Sequence, residues 1–320
     1  MTEVSVEIPG KVMLGGEYAV MSGMPCVAAS TSLTMTVRVS SIEGDKIRLV
    51  SGLWSEPRWF SSLDDFGDSV FEDAVKRALP SFVPMEVSII SDLKVSYGVG
   101  SSSALRLGVL TAIDSYLTGS ALSKAAVWAK ADQAWQIQRQ AQGQASGYDI
   151  ATQVAGGWVH YRQPSDKPLS GDSVARIGSR SDLVKVFVGG KGEPTAAKVG
   201  FTYDAIMADT DRDSFFSASR ALTEAWSSCD IGVRDLVERV AAHRAFLAKW
   251  GLVPEAVSSR LKGLSGCDTI WSFKTTGAGG EDAILLVGES QELMEAVRVM
   301  KALGWLEIPG LLSGAGVTIR

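Results

Sequence analysis

Residues 97–105 read Tyr97-Gly98-Val99-Gly100-Ser101-Ser102-Ser103-Ala104-Leu105, and the fold is read outward from them. Alternating glycines allow a backbone to approach a ligand closely. Three hydroxyl side chains follow, and then a stretch of helical periodicity from Ser102 to Leu117. A helix start presents free N–H groups and the positive end of its dipole, which suits an anion such as a phosphate. The plain alternative is a turn with a serine N-cap. Three consecutive serines exceed what a cap needs.

Downstream, Ala121 to Gln140 is a second long helical pattern. A Gly-rich segment, Gly143 to Gly157, then leads into the strand-like Trp158 to Arg162. Within it, Gly143-Gln144-Ala145-Ser146-Gly147-Tyr148-Asp149 places a carboxylate just before an apolar run. An aspartate there is ordinarily an N-cap, and if buried it needs a partner. Upstream, Asp68 to Leu79 has helical spacing ending at Pro80, while Thr34 to Ser40 and Met85 to Ile90 alternate as strands. Near the start, Pro9-Gly10-Lys11-Val12-Met13-Leu14-Gly15-Gly16-Glu17-Tyr18 sets Lys11 between Pro-Gly and an apolar strand. Lys11 either snorkels to solvent or is drawn into a site as the partner of Asp149.

Gln163 to Asp182 turns polar and rich in Pro, Gly and Ser, which reads as a linker. Two domains follow, residues 1–170 and 171–320. The second half opens with the strand-like Leu183 to Val188. Helical patterns follow at Asp213 to Trp226, Ile231 to Trp250, Pro254 to Leu264 and Gln291 to Leu303. Strand-like runs lie at Thr269 to Phe273 and Ala283 to Val287, with a closing strand near Val317. The mixture lacks a regular βαβ rhythm and predicts an α+β fold. A further glycine-rich turn, Lys274-Thr275-Thr276-Gly277-Ala278-Gly279-Gly280-Glu281-Asp282, suits close approach to a ligand. Gly189-Gly190-Lys191-Gly192 lacks the spacing of a P-loop.

The composition narrows the function. The 320 residues are 46% apolar and 21% charged, with a formal net charge of -5. That balance argues against nucleic acid as a partner. Cys26, Cys229 and Cys267 are too few and too scattered for a disulfide framework or a paired metal site, and read as free thiols of a reducing compartment. His160 and His243 both read as structural. No basic, apolar leader opens the chain, and no run approaches the ~20 apolar residues of a membrane span. The expectation is a cytoplasmic protein without a membrane partner.

Taken in order, PGKVMLGGEYAV, YGVGSSSAL and KTTGAGGEDAILLV resemble the three motifs of the GHMP superfamily of small-molecule kinases. QGQASGYDIATQVAGGWVHYR is similar to the stretch around the catalytic aspartate of bacterial phosphomevalonate kinases. The resemblance implies a two-domain α+β fold, with an N-terminal ribosomal-protein-S5-like α/β domain and a C-terminal ferredoxin-like α+β domain. It implies ATP and Mg2+ as cofactors, and a small acidic acceptor of the mevalonate type, phosphomevalonate above the others. Mevalonate kinase or another GHMP kinase is the alternative, and a mevalonate diphosphate decarboxylase or a non-catalytic sensor stands further off. Oligomeric state is left at monomer or homodimer.

By the same resemblance, Lys11 and Asp149 would be catalytic. Gly98, Val99, Gly100, Ser101, Ser102 and Ser103 would hold ATP, with Ser101 the metal ligand. Glu17, Tyr18, Ser146, Gly147, Gly277, Ala278 and Gly279 would join Lys11 around the substrate. Lys94, Arg139, Lys191 and Lys198 are candidates for the acceptor's acidic groups. Three positions depart from the pattern: Glu281 in place of a glycine, Ser103 in place of alanine, and Gln138 where mevalonate kinases place a magnesium-binding glutamate.

Overall fold

A computed structural model describes residues 3–165, 167–189, 195–228, 230–279, 283–310 and 315–320. The chain starts with two long strands, β1 (Glu3–Gly15) and β2 (Cys26–Ser40), paired antiparallel. Val4, Val6 and Ile8 of β1 and Val37 and Val39 of β2 are fully buried, as the period of two in these segments dictates. The ladder slips between Pro9 and Lys11. Proline has no N–H to give, and the irregularity lets the Lys11 amide donate instead to Val99 O at 2.8 Å.

β3 (Ile47–Ser51), β4 (Arg58–Phe60), α1 (Val70–Ala78) and β5 (Met85–Ser91) follow. α1 starts on Ser69, whose hydroxyl accepts from the Glu72 amide. It carries acids in its first turn and Lys76 and Arg77 in its last, in line with the helix dipole. Next come α2 (Ser101–Thr118), α3 (Lys124–Gln142), α4 (Tyr148–Ala155), β6 (Trp158–Tyr161) and β7 (Val174–Arg176). α2 lies so near the sheet that a Cβ on Gly108 would come within 2.6 Å of Ile8 Cδ1 and 2.7 Å of Val37 Cγ2.

The second half runs β8 (Val184–Val188), α5 (Thr195–Ala208), α6 (Arg212–Ser227), α7 (Val233–Lys249), α8 (Glu255–Lys262), β9 (Trp271–Thr275), β10 (Ala283–Gly288), α9 (Met294–Ala302), β11 (Leu306–Ile308) and β12 (Thr318–Ile319). One sheet has the order β12-β1-β2-β5-β3-β4, with β6 on β2 and β7 on β6. The other has the order β11-β8-β10-β9. The fold is α+β, as the sequence predicts. β7 lies beyond the predicted division at residue 170 yet pairs with the first sheet, and β12 returns to pair with β1.

Each sheet has its own apolar core. The second is built on Phe187, Phe273, Trp271, Ile284, Leu286 and Met300, each large side chain contributing about 1.5–3 kcal/mol on burial. α6 joins the halves: Trp226 donates from Nε1 to Leu14 O at 3.0 Å and packs on Trp158. The sequence reading leaves out α4 and α5. α4 begins and ends on glycine, at Gly147 and Gly156, so its eight residues hide inside a Gly-rich segment.

Candidate active site

The N-cap of α2 is Gly100, not a serine. Gly98 (φ 64°) and Gly100 (φ 85°) are both left-handed, a region open to glycine and strained for other residues. A Cβ at Gly100 would sit 3.0 Å from Lys11 Cε and 3.1 Å from Gln153 Nε2. No side chain caps the helix start. Ser103, buried, points back and donates to Gly100 O at 3.0 Å, whereas Ser101 and Ser102 keep partial exposure. The result is a backbone cradle with amides and two hydroxyls at the head of an 18-residue helix.

Lys11 reaches this cradle from β1. Its side chain is only 7% exposed, and its ammonium donates to Gly98 O at 2.9 Å and stands 5.2 Å over the Tyr148 ring. It does not snorkel.

Asp149 is carried by α4, the helix that touches the cradle through Gln153. That helix also starts on a left-handed glycine, Gly147, without a side-chain cap, so Asp149 is a first-turn acid rather than the N-cap. It is buried, and Gln138 of α3 donates to its Oδ2 at 3.1 Å. One turn further along α4, Gln153 donates to Gly100 O at 3.0 Å, tying this helix to the cradle. The loop before α4 is pinned twice: Trp135 Nε1 donates to Ala145 O at 2.9 Å, and the Tyr161 hydroxyl donates to Ser146 O. Ser146 and Gly147 are buried in that loop. The charge on Asp149 is felt around it. Burial first, and then Asp149, push the Tyr148 phenol well above its usual range; Cys26 is raised by burial, then Glu17 and then Asp149, and Tyr161 by burial, then Cys26 and then Asp149.

The third glycine turn closes the ring. Met13 N donates to Thr276 Oγ1 at 3.0 Å, and the Tyr18 hydroxyl donates to Ala278 O at 2.7 Å. A Cβ on Gly277 would stand 3.9 Å from the Tyr148 hydroxyl. Glu17 is 1% exposed, with both carboxylate oxygens engaged: one by the Lys274 ammonium, the other by His243 Nε2 at 3.1 Å. Its side chain binds the two halves of the molecule together. Burial alone would push the Glu17 carboxyl up, but the Lys274 charge and the His243 hydrogen bond together bring it below the ordinary value.

Lys11, Gly98 to Ser103, Tyr18, Ser146, Gly147, Asp149 and Gly277 to Gly279 therefore come together from four separated segments. Of the candidate anion binders, Lys94 and Arg139 are exposed and lie against Tyr97 and Trp135 respectively. Lys191, Glu281 and Asp282 fall outside the described residues, as does Cys229, and nothing is described of the Lys198 side chain. The sequence reading passed over Arg106, which is buried on α2, with Nε and Nη1 making no hydrogen bond among the described residues. Burial lowers its pKa, while Asp149 and then Asp73 act to raise it. A lone arginine inside a helix reads as a solvated charge, and nothing in the sequence marks it as buried.

The GHMP kinases N terminal domain matches residues 69–157, the span from the cap of α1 through the cradle and α4. Mevalonate kinase of Pyrococcus horikoshii is 29% identical over 182 residues, 52% of this chain and 53% of that protein. Mevalonate kinase of Archaeoglobus fulgidus is 27% identical over 281 residues, 86% of this chain and 89% of that protein. The chain thus spans about half the length of the first relative and most of the second. In structure, a Lin0012 protein from Listeria innocua superposes with a TM-score of 0.78 at 20% identity, covering 99% of both chains. A phosphomevalonate kinase of Streptococcus pneumoniae, in complex with phosphomevalonate and AMPPNP, gives 0.76 at 15% identity, covering 96% of this chain and 99% of that one.

Proposed function

We propose that this member of the GHMP kinase superfamily transfers the γ-phosphoryl group of ATP to a small acidic acceptor of the mevalonate type, with phosphomevalonate the acceptor we put first. One observation carries the reading: Lys11 of β1 and Gln153 of α4, the helix whose first turn bears Asp149, converge on the same glycine cradle, through Gly98 O and Gly100 O. In phosphoryl transfer, alignment and charge stabilisation do most of the work.

Each group has a part in that chemistry. The amides of Gly98 to Ser103 would receive the nucleotide phosphates at the start of α2. The Lys11 ammonium, held buried at that edge, would offset charge on the transferring group. Asp149 would face the acceptor oxygen. An acceptor phosphate is already ionised near neutral pH, so Asp149 would act by orienting it rather than by removing a proton. Gln138 beside it is an amide, and a dianionic acceptor meets no second carboxylate there. Tyr18, Ser146, Gly147 and Gly277 to Gly279 would frame the acceptor.

Magnesium would meet this donor set through hydroxyl oxygen. Among the described residues no group of three or more His, Cys, Asp or Glu could hold an ion. The partly exposed Ser101 hydroxyl offers the kind of oxygen such a cation takes. Magnesium bound with the nucleotide, touching Ser101, would neutralise phosphate charge.

The second reading is mevalonate itself as acceptor, favoured by the names of the sequence relatives. An ADP-release assay over mevalonate, phosphomevalonate and a panel of sugars and alcohols separates them, with products identified by mass. Turnover of phosphomevalonate to the diphosphate is expected. Turnover of mevalonate alone moves the assignment to the second reading, and ATP binding without turnover of any acceptor rejects both. With the active acceptor, Asp149→Asn and Lys11→Ala should each lower kcat by about 10²-fold or more.

A further inference from the structure

Residues 315–317 run past the C-terminal turn of α4 before the chain enters β12. A Cβ at Gly316 would stand 1.9 Å from Val154 O, 2.6 Å from Val154 C and 2.8 Å from Gln153 O, nearer than at any other glycine described. No rotamer clears such a contact, because every atom met is backbone. An ordinary carbon–oxygen contact is about 3.3 Å or more, so a methyl group there would part the two backbones by about 1.4 Å.

Which side gives way follows from what holds each. Just beyond Gly316 the terminal segment is fixed to β1 by backbone. Ser5 N donates to Arg320 O at 2.9 Å, Arg320 N donates to Ser5 O at 2.8 Å, and Thr318 lies opposite Glu7. Val317 packs on the first core. α4 has eight residues and is about 12 Å long. Side chains tie it to its surroundings: Gln153 to Gly100 O, Gln138 to Asp149, and Arg176 of β7 to Ala155 O. The helix is the softer partner. It would carry a shift at Val154 to Gln153 beside it, and to Asp149 about 7.5 Å back along its axis.

We propose that Gly316 is a positioning residue. The close approach that only glycine permits lets the terminal segment seat α4, and so sets where Gln153 and Asp149 stand against the cradle. The segment touches both elements on which the site depends. Its strand pairs with β1, which bears Lys11, and its glycine abuts α4, which bears Asp149.

The kinetic test rests on the kinase reading; hydrogen exchange on the ligand-free protein does not. Gly316→Ala should speed amide exchange of the peptide 145–157 about threefold or more, while peptides from β9 and β10 in the other sheet keep the parental rate. Gly52→Ala, at an exposed glycine with nothing within 4 Å, is the control and should leave both regions unchanged. An equal rise in both sheets overturns the proposal, because it marks general destabilisation. No rise over 145–157 also overturns it, because the terminal segment then yields instead of the helix. If Gly316→Ala is not recovered folded, Val317→Ala decides. It loosens the segment from the core without a clash: faster exchange confined to 145–157 supports the proposal, and parental exchange there overturns it.

With the active acceptor, Gly316→Ala should lower kcat about tenfold or more, since a misplacement of about 1 Å suffices for such a loss. KM for ATP should stay within about threefold of the parent, because the cradle's backbone belongs to the head of α2. A folded Gly316→Ala with parental kcat overturns the positioning role. Absence of turnover in the parent counts against the kinase reading instead, and leaves the exchange result to judge Gly316.

Discussion

Gly100 makes two demands on one residue. Its φ of 85° lies in the left-handed region, and the space where a side chain would begin is filled by Lys11 and Gln153. Gly100→Ala should therefore cost about 1–3 kcal/mol in strain and displace the two side chains that touch the cradle. The expected outcome is a several-fold rise in the nucleotide's Kd, measured by calorimetry, on a protein that remains folded. Unchanged nucleotide affinity would remove the cradle from the proposed site. At this scale the sequence was partly legible. Tight glycines, hydroxyls and a helix start are local features, so residues 98–103 could be read from neighbours alone. The contacts of Lys11 and Glu17 could not. Lys11 meets Gly98 across 87 positions, and Glu17 meets His243 and Lys274 across 226 and 257.

Among the elements, α4 matters most for the site and is the one the sequence conceals. Its eight residues lie between two glycines, with no Ser, Thr, Asp or Asn cap to announce the start. What holds it in register is tertiary: Trp135 and Tyr161 grip the preceding loop, and Gln153 grips the cradle. Tyr161→Phe removes one grip while keeping the ring. It should lower stability by about 1 kcal/mol in urea melts and raise KM for the acceptor while leaving KM for ATP near the parental value. Equal effects on both constants would mean that the loop does not serve the acceptor alone. The longer helices α2, α3 and α7 were legible because their periodicity runs over many turns. The short strands β4 and β11, of three residues each, carry too little pattern to be read.

For the molecule as a whole, the decisive contact is the buried set Glu17, Lys274 and His243, all at most 1% exposed. It joins the turn after β1 to α7 and β9. Breaking a buried ion pair by removing one partner leaves an uncompensated charge, costing about 3–5 kcal/mol. Glu17→Gln should show that loss in thermal or urea melts, measured near neutral pH. The sign with pH follows from the lowered carboxyl. The stability that Glu17 contributes is fully present above its ordinary value of 4.5 and drains away as pH falls through the lower folded value. Acid melts of parent and Glu17→Gln should therefore converge below that range. Curves that stay parallel would show that Glu17 is not the group being titrated.

The return of Thr318 and Ile319 to lie beside Glu7 and Val6 has a temporal meaning. During vectorial synthesis β1 precedes its outer neighbour by every other strand of both sheets, so while those strands are being made the nascent first sheet carries an open flank. Such a flank can recruit strands from other chains. Removing Thr318 to Arg320 should consequently harm yield and solubility in the cell more than it harms the proposed activity of purified protein that has already folded.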